Sequence, residues 1–530
     1  MKKTFLLLFV LAILLSCGSV KKYNEQITAL HSVEDLHTDV DKLYKQLKKH
    51  HPKLYQYTSK TDLDYKFDSL KQSINKPITS VEFYRKLAPV VTHVRQGHVA
   101  VGSVGKQFTK KERKALNKKK FEFYDLDFEY LEGKLWVENN YGKDSTLVGN
   151  EVVSIDNEPA LNLVKTYKTR FASDGYNTTL HDRYVGKVFT SMYVRDKGFL
   201  DSLQVTFKSK DSVFTKVFKR IPKKEKKDSL KTDTTTVKKI KPKKLTKEEK
   251  KVKRLASRKK KKDNKKYGYI SKIKDYTRRL DFIGEDSTVA YMKIRGFSNG
   301  NYKKFYKESF AKLDSAKTKN FILDLRDNGG GRIAEIEKLY SYLADQEYQF
   351  INESEVNSRI PFMKFLMSNT NSTGLKVLAG LFSPIIITGN LLKTKKKDGK
   401  LYYKFKESKI REPNELNYKG NMYVLINGNS FSASSLLSTH LKATKRATFV
   451  GEETGGAYNG TVAGIYKIYQ LPTTKIKVRM GLMLVETPQK QDPDGYGVKP
   501  DIEITPTVEN RKLKQDPELE WILDDITKTK

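Results

Sequence analysis

The chain has 530 residues and a formal net charge of +40, with 38% hydrophobic residues and a single cysteine. The length predicts two or three domains, each with an apolar core. A lone cysteine excludes an intrachain disulfide framework. The eight histidines show no His-x-x-x-His or related ligand spacing, so we expect neither a metal nor a cofactor.

The first residues predict export from the cytoplasm. Lys2 and Lys3 precede an apolar run over residues 5–15. A bilayer requires about 20 apolar residues, so this run is too short to span one. A short apolar run behind positive charges is typical of a secretory signal peptide, here residues 1–16.

The segment from Leu14 to Gly18 reads Leu-Leu-Ser-Cys-Gly and resembles a bacterial lipobox. The resemblance implies cleavage before Cys17, a lipid thioether on the Cys17 sulfur, and a tether over residues 17–32 that anchors the protein in a membrane of the cell envelope. Gly18 stands where an Asp often signals inner-membrane retention. This favours the outer membrane, with the protein periplasmic or surface-exposed. The alternative is an ordinary signal peptide followed by an incidental cysteine.

The pattern of apolar residues predicts three organised regions. Residues 33–110 are predicted to be helical, because apolar residues recur there at helical spacing: Leu36, Val40, Leu43 and Leu47. Residues 115–221 alternate apolar and polar residues in short segments, which predicts a β-rich domain. Residues 267–510 alternate apolar strands with helices and predict an α/β core, followed by a C-terminal helix or tail over residues 511–530.

A strongly basic segment, residues 222–266, separates the second and third regions. Between Arg220 and Lys266 the chain has 23 Lys and Arg against 6 Asp and Glu. Such a segment buries too little apolar surface to offset chain entropy, so we expect a disordered insertion or a solvated helix. Contact of residues 223–262 with an anionic surface is a second interpretation. Specific nucleic-acid binding is not expected, because the first aromatic residue is Tyr267.

Two turns of the predicted core carry residues suited to chemistry. The apolar strand at residues 321–326 runs into Asp-Asn-Gly-Gly-Gly, and these glycines allow positive φ and leave N–H groups free to face an anion. A second strand, residues 422–426, leads to a serine-rich turn at residues 430–435, where a helix begins and favours negative charge. Each feature alone is equally consistent with a tight turn or an ordinary helix cap.

Four motifs follow one another in the second half of the chain: Asp-Leu-Arg-Asp-Asn-Gly-Gly (324–330), Ser-Phe-Ser-Ala-Ser (430–434), Arg-Ala-Thr-Phe-Val-Gly-Glu (446–452) and Gly-Val-Lys-Pro-Asp-Ile (497–502). Their sequences and order resemble those of the S41 serine peptidases, which include tail-specific, C-terminal-processing and tricorn-core-like enzymes. The resemblance implies a crotonase/ClpP-like α/β core with a PDZ-like domain upstream. Residues 148–159 are similar to the Gly-Asp-x-Ile-x-x-Ile-Asn-Gly stretch of PDZ domains.

The family resemblance also implies roles for particular residues. Ser432, the middle serine of the Ser-x-Ser-x-Ser run, matches the nucleophile. The backbone N–H of Ala433, with that of Gly329 or Gly330, matches the oxyanion hole. Donors of this kind stabilise the charge on the carbonyl oxygen, and removing one costs about 10²–10³ in rate.

The two branches of the family activate the serine differently. The processing proteases use a lysine in a Phe-Gly-Lys-Gly element, but Ala457 stands at that position here, and the next lysine, Lys467, lies beyond the loop. The tricorn-like branch uses a histidine, and the Gln-Gly-His that ends at His98 resembles its Asp-Gly-His element. We therefore predict His98 as the general base, with His93 as the alternative. His440 is predicted to be structural.

The acidic partner of the histidine is predicted from the C-terminal motif. In the family an acid commonly lies three positions before the Gly of Gly-Val-x-Pro-Asp-Ile, which places Asp494 in that role, with Glu486 as a substitute. Residues 492–495 are also consistent with a simple turn.

These motifs together predict an envelope-located serine peptidase that cleaves peptides or unfolded proteins through an acyl-enzyme. One alternative is a non-catalytic ligand- or peptide-binding lipoprotein on the same scaffold, and another is an envelope adaptor that uses the basic insertion. The role of residues 333–420 stays open, because the apolar run from Val377 to Ile387 fits a lid, a substrate groove or a membrane-facing patch.

Overall fold

The computed structural model describes residues 19–223, 246–284, 288–298 and 300–529. The predicted signal peptide and Cys17 lie outside these residues, as do residues 224–245 of the basic segment. The described chain has the mixed α/β character that the sequence predicts.

The N-terminal region is mainly helical. Its elements are α1 Val20–Thr28, α2 Val33–His50, α3 Lys60–Gln72, α4 Ser80–Val91, strand β1 Ala100–Gly102 and α5 Lys110–Leu116. Thr79 and Glu82 form a reciprocal capping box that fixes the start of α4. Part of the predicted tether is folded, because residues 20–28 are helical and Ile27 is buried in the core of this region.

The second region is a sheet packed against two helices. Its elements are β2 Lys119–Phe121, β3 Leu126–Leu131, β4 Lys134–Asn140, β5 Glu151–Ile155, β6 Glu158–Pro159, α6 Ala160–Lys168, α7 Thr179–Lys197, β7 Ser202–Ser209 and β8 Ser212–Pro222. The strand order is β2-β8-β7-β5-β4-β3, with β6 paired to β5. Val185 and Phe189 of α7 are buried against this sheet. The loop between α6 and α7 leaves the region and contacts the N-terminal region, where Asp174 accepts the Gly97 N–H.

The described part of the basic segment is helical. Helix α8 spans Lys247–Tyr267, begins with a capping box between Thr246 and Glu249, and has no buried residue. The prediction of a disordered insertion is therefore wrong over residues 247–266, and the alternative prediction of a solvated helix describes them. Intrahelical hydrogen bonds and the cap support this helix, whose surface is mainly charged and includes the exposed apolar residues Val252 and Leu255.

The third region contains most of the strands. They are β9 Tyr269–Ile270, β10 Asp275–Tyr276, β11 Arg278–Ile283, β12 Val289–Ile294, β13 Asn320–Asp324, β14 Tyr348–Gln349, β15 Ser354–Val356, β16 Thr394–Lys397, β17 Lys400–Tyr403, β18 Ile410–Arg411, β19 Asn421–Ile426, β20 Thr448–Gly451, β21 Thr461–Gln470, β22 Lys477–Val485 and β23 Ile502–Glu503. The helices are α9 Tyr302–Ser315, α10 Ile333–Tyr340, α11 Pro361–Leu366, α12 Thr373–Leu381, α13 Ser383–Lys393, α14 Ala433–Ala443, α15 Val508–Leu513 and α16 Pro517–Lys528.

The main sheet has the order β11-β12-β13-β19-β20-β23. The five strands β12, β13, β19, β20 and β23 run parallel to one another, and β11 is antiparallel at the edge. Helices α9, α10 and α14 cover one face, and α16 covers the other through Ile522 and Ile526. Burial on both faces explains why the central strands are continuous apolar runs.

A second sheet joins the N-terminal region to the core. Strand β22 pairs with β21, β1 and β15, and Ala100 of β1 lies opposite Arg479 of β22. This pairing fixes the residues just before β1, including His98, against the third region.

Helices α12 and α13 form a bent pair that meets at 70°. Among the described residues, no single helix is long and apolar enough to cross a membrane, whereas this pair meets the length and composition criterion together. The apolar run predicted from Val377 to Ile387 lies in this pair.

Candidate active site

Ser432 lies in the turn between strand β19 and helix α14. Its φ of 58° and ψ of −118° form a conformation that residues other than glycine rarely adopt. The turn is held in place because Ser430 Oγ donates to the Leu325 carbonyl at 2.8 Å, and Phe431 N–H donates to the Asn328 carbonyl at 3.0 Å. The Ser432 hydroxyl therefore stands at the N-terminus of an 11-residue helix, where negative charge is favoured.

The glycine loop after β13 packs against this turn. Gly330 has a φ of 92°, and a Cβ there would lie 2.8 Å from both the Ala433 nitrogen and the Ser432 Cβ. The Gly330 N–H donates to Asn328 Oδ1 at 3.0 Å. Within the described ranges, the N–H groups of Gly329 and Ala433 have no recorded acceptor, so these two amides of the predicted oxyanion set are free to bind one.

His98 reaches Ser432 from the N-terminal region, with Nε2 2.9 Å from Ser432 Oγ. Its ring packs beside Phe431, with centroids 5.1 Å apart. Gly97 permits this approach, because a Cβ at that position would lie 2.5 Å from the Phe431 ring. Burial, reinforced by Arg479, lowers the pKa of His98 to about 3. The imidazole is therefore neutral near pH 7 and able to accept a proton.

Tyr466 of β21 faces the other ring nitrogen, with its hydroxyl 3.3 Å from His98 Nδ1. The Arg479 guanidinium lies over the Tyr466 ring at 5.1 Å, and its Nε donates to the His98 carbonyl at 3.3 Å. If Nε2 accepts the Ser432 proton, then Nδ1 carries the ring proton and the Tyr466 oxygen accepts it. Sequence reasoning missed Tyr466, because one tyrosine in a strand carries no motif.

Asp494, predicted as the partner of His98, makes other contacts. Its carboxylate accepts from Gln56 Nε2 at 2.9 Å and from the Gly495 N–H at 2.7 Å. Gln56 in turn accepts from Gln96 Nε2 at 3.1 Å, two residues before His98. The structure therefore places Tyr466, rather than Asp494, at Nδ1. The loop that carries Asp494 packs against the N-terminal region, so the carboxylate reaches the histidine segment only through glutamine side chains.

Asp174 is a second residue that the sequence did not reveal. It lies in the loop between α6 and α7, is fully buried, and accepts the Gly97 N–H at 2.8 Å. Burial raises the pKa of Asp174 to about 6, although the bond from Gly97 opposes this rise. An Asp followed by Gly is a common turn signal, so nothing in the sequence distinguished this carboxylate.

The other histidine, lysine and acid candidates are bonded elsewhere: His440 to the Phe350 carbonyl, Lys467 Nζ to His50 Nε2, and Glu486 to Lys490. The His93 carbonyl accepts from Thr58 Oγ1 at 2.6 Å, and its ring has no recorded hydrogen bond in the described chain. Only His98 is therefore seen to bond the Ser432 hydroxyl.

A cavity of about 400 Å³ opens beside Ser432. Its lining is mixed: Ile333, Leu436, Ala463 and Val485 are apolar, and Arg332 and Glu407 are charged. Its size is sufficient for one side chain of a bound molecule next to the Ser432 hydroxyl. No cluster of potential metal ligands was found among the residues that the structure describes.

Known structures include proteins whose fold is similar to that of this chain. Mature CPAF complexed with lactacystin is similar with a TM-score of 0.60 and 14% identity, over 94% of this chain and 98% of that chain. Mature CPAF is similar with a TM-score of 0.58 and 13% identity, over 93% of this chain and 96% of that chain. At these identities the likeness establishes the fold alone. No curated protein matches the sequence.

The family model of peptidase family S41 matches residues 288–504, the range that holds the glycine loop and Ser432. By class the molecule is therefore a serine peptidase. The match covers less than half of the chain, so the S41 assignment is made for residues 288–504 alone.

Proposed function

We propose that this protein is a serine endopeptidase of the cell envelope that hydrolyses peptides or unfolded proteins. The observation that carries this proposal is the 2.9 Å contact between His98 Nε2 and the hydroxyl of Ser432. The contact joins a neutral imidazole to a serine held at a helix N-terminus, which is the arrangement needed to make a hydroxyl nucleophilic.

The reaction follows from these two groups. Ser432 Oγ attacks the substrate carbonyl while its proton moves to His98 Nε2, and the proton then passes to the departing amine. The resulting acyl-enzyme is hydrolysed by a water that His98 deprotonates in the same way, which returns the proton to Ser432. Tyr466 acts as a positioning residue, because its oxygen holds the Nδ1–H tautomer that leaves Nε2 free to accept.

The oxyanion of the intermediate is proposed to bind the free amides of Ala433 and Gly329. Gly330, the third predicted contributor, packs against the turn at Ser432, and its own N–H is already bonded to Asn328 Oδ1. Asp494 is proposed to position the His98 segment indirectly, through Gln56 and Gln96. These fixed donors need no reorganisation when charge develops on the carbonyl oxygen.

The architecture and location are also part of the proposal. We assign the third region as a crotonase/ClpP-like core, residues 115–221 as a PDZ-like domain, and Cys17 as the lipidated residue of an outer-membrane lipoprotein. The exposed lysines of α8 support contact of the segment 223–262 with an anionic surface. The motifs of the N-terminus support the anchor, and the strand order with two packed helices supports the PDZ-like domain.

Fluorophosphonate labelling of the purified chain, followed by peptide mapping, tests the proposed mechanism. We expect label on Ser432 in the wild type, and none in Ser432→Ala or His98→Ala. His93→Ala is the matched control, because it removes the other candidate histidine and should leave labelling intact. Folded wild-type protein that takes up no label would contradict the peptidase proposal and favour the ligand-binding alternative.

A further inference from the structure

Helices α12 and α13 expose a large apolar surface, which we call the apolar hairpin (residues 373–393). Its most exposed side chains are Leu381 at 69%, Ile385 at 72% and Leu392 at 77%. Other large apolar residues of this surface are also exposed: Leu375, Val377, Leu378, Phe382 and Leu391. Ala379 and Asn390 are the only buried residues of the two helices. A contiguous apolar surface of this kind marks an interaction site.

The charged residues within the segment that contains the apolar hairpin are all positive. Residues 361–397 include six lysines and no Asp or Glu. Three of these lysines, Lys395 to Lys397, are exposed on β16, the strand at the edge of the second sheet. Apolar helices flanked by lysines match the chemistry of a membrane interface that contains anionic lipid.

The hairpin lies on the same side of the molecule as the N-terminus. Asn369, just before α12, donates to the Gln470 carbonyl at the end of β21 at 2.7 Å. Gln26 of α1 donates to the Thr473 carbonyl, in the turn that follows, at 2.9 Å. Both segments therefore contact the turn between β21 and β22. An anchor placed before α1 would bring this face of the molecule to the bilayer.

We propose that the apolar hairpin docks onto an anionic lipid bilayer, with α12 and α13 in the interfacial layer and the lysines at the headgroups. The 70° bend and the lysine at the end of α13 fit a segment that lies in the interface. Strand β21 also carries Tyr466, so docking would hold the active site close to the membrane surface. The proposal goes beyond the peptidase activity and does not depend on it.

The docking is tested by site-specific fluorescence on the full chain. With Cys17→Ser, an introduced cysteine is the sole thiol, and Leu381→Cys carries an environment-sensitive dye. We expect a blue shift on addition of phosphatidylcholine–phosphatidylglycerol vesicles, and quenching by spin-labelled lipid. The matched control is the same dye at Val213→Cys, because Val213 is 61% exposed on β8 in the second region. That position should stay in water.

The same dye tests the contribution of the lysines and the alternative that a second copy of the chain covers the apolar hairpin. Lys395→Gln, Lys396→Gln and Lys397→Gln together should weaken partitioning into anionic vesicles by about fivefold per lysine, with little effect on neutral vesicles. An unchanged spectrum at Leu381→Cys while the chain is bound to vesicles would overturn the proposal. A shift that needs no lipid and grows with protein concentration would also overturn it, and would assign the surface to a second copy of the chain.

Discussion

His98 is held by contacts from three separate parts of the chain. Ser432 bonds Nε2, Tyr466 faces Nδ1, and Arg479 bonds the backbone carbonyl. The neighbour of Nδ1 is thus a neutral hydroxyl and not a carboxylate. A hydroxyl can fix the tautomer of the ring, but it stabilises an imidazolium less than an anion would. Rapid catalysis therefore depends more heavily on positioning of the ring.

Tyr466→Phe tests this positioning role. The substitution keeps the ring that packs on His98 and removes one neutral hydrogen bond, which contributes about 1 kcal/mol. We expect kcat to fall about fivefold with little change in KM. Tyr469→Phe, on the same strand, is the matched control and should leave both constants unchanged. A wild-type kcat in Tyr466→Phe would remove the tyrosine from the mechanism.

At the level of secondary-structure elements, two connections bring Ser432 and His98 together. The turn from β19 into α14 carries Ser432, and the glycine loop after β13 lies against that turn. The pairing of β1 with β22 then brings His98 to the same point. Neighbouring parallel strands end at the same edge of the sheet, so the loops after β13 and β19 meet there.

The contact between these loops is tested with a pair of alanine substitutions. In Gly330→Ala the added Cβ meets the Phe431 carbonyl at 2.7 Å and the Ala433 nitrogen at 2.8 Å, so the turn must shift. We expect the rate of Ser432 labelling to fall by about 10² or more, as when an oxyanion donor is lost.

Gly329→Ala is the matched control for this substitution. A Cβ at Gly329 has open space around it, and the backbone N–H remains. Labelling should therefore stay within a factor of about three, since surface substitutions usually change free energies by less than about 0.5 kcal/mol. Equal losses in the two variants would contradict the proposed arrangement.

Across the whole molecule, four buried histidines link stability to pH. Burial lowers the pKa of His50 and His440 to about 4 and that of His51 and His98 to about 3. Below pH 6.5 the four histidines bind protons in the unfolded chain, whereas in the folded chain they stay neutral until the pH approaches 4. Their contribution is therefore full above pH 6.5 and is lost as the pH falls toward 4. Asp174 and Glu138, whose pKa values desolvation raises to about 6 and about 7, oppose this trend with about one proton each.

We expect unfolding near pH 5.5 to take up about two protons net, so that the free energy of unfolding falls by about 3 kcal/mol per pH unit. Urea denaturation followed by circular dichroism between pH 7.5 and 5.5 measures this slope. His440→Gln should reduce the slope by about one proton, whatever it does to stability at pH 7.5. A free energy of unfolding that does not change over this range would contradict the burial of neutral histidines.

The main elements and the candidate site were predictable to different degrees. The helical spacing of Leu36 to Leu47, the apolar strands and the turn at Ser432 are local patterns, so short windows of sequence indicated them. For the segment that contains α8, the sequence allowed both disorder and a solvated helix. A helix with a mainly charged surface has no apolar stripe by which it can be recognised. Tyr466 and Asp174 carried no signal, because each becomes relevant only through contacts with distant residues.

Local periodicity and four motifs in a fixed order were enough to indicate the α/β class and the resemblance to family S41, and to single out Ser432 and His98 as candidate residues. The tertiary structure alone decided which groups surround His98, because the pairing of β1 with β22 and the loop between α6 and α7 join residues that are hundreds of positions apart. The tertiary structure also decided that the apolar side chains of α12 and α13 are exposed. Burial of a helix depends on what the rest of the chain packs against it, and here almost nothing does.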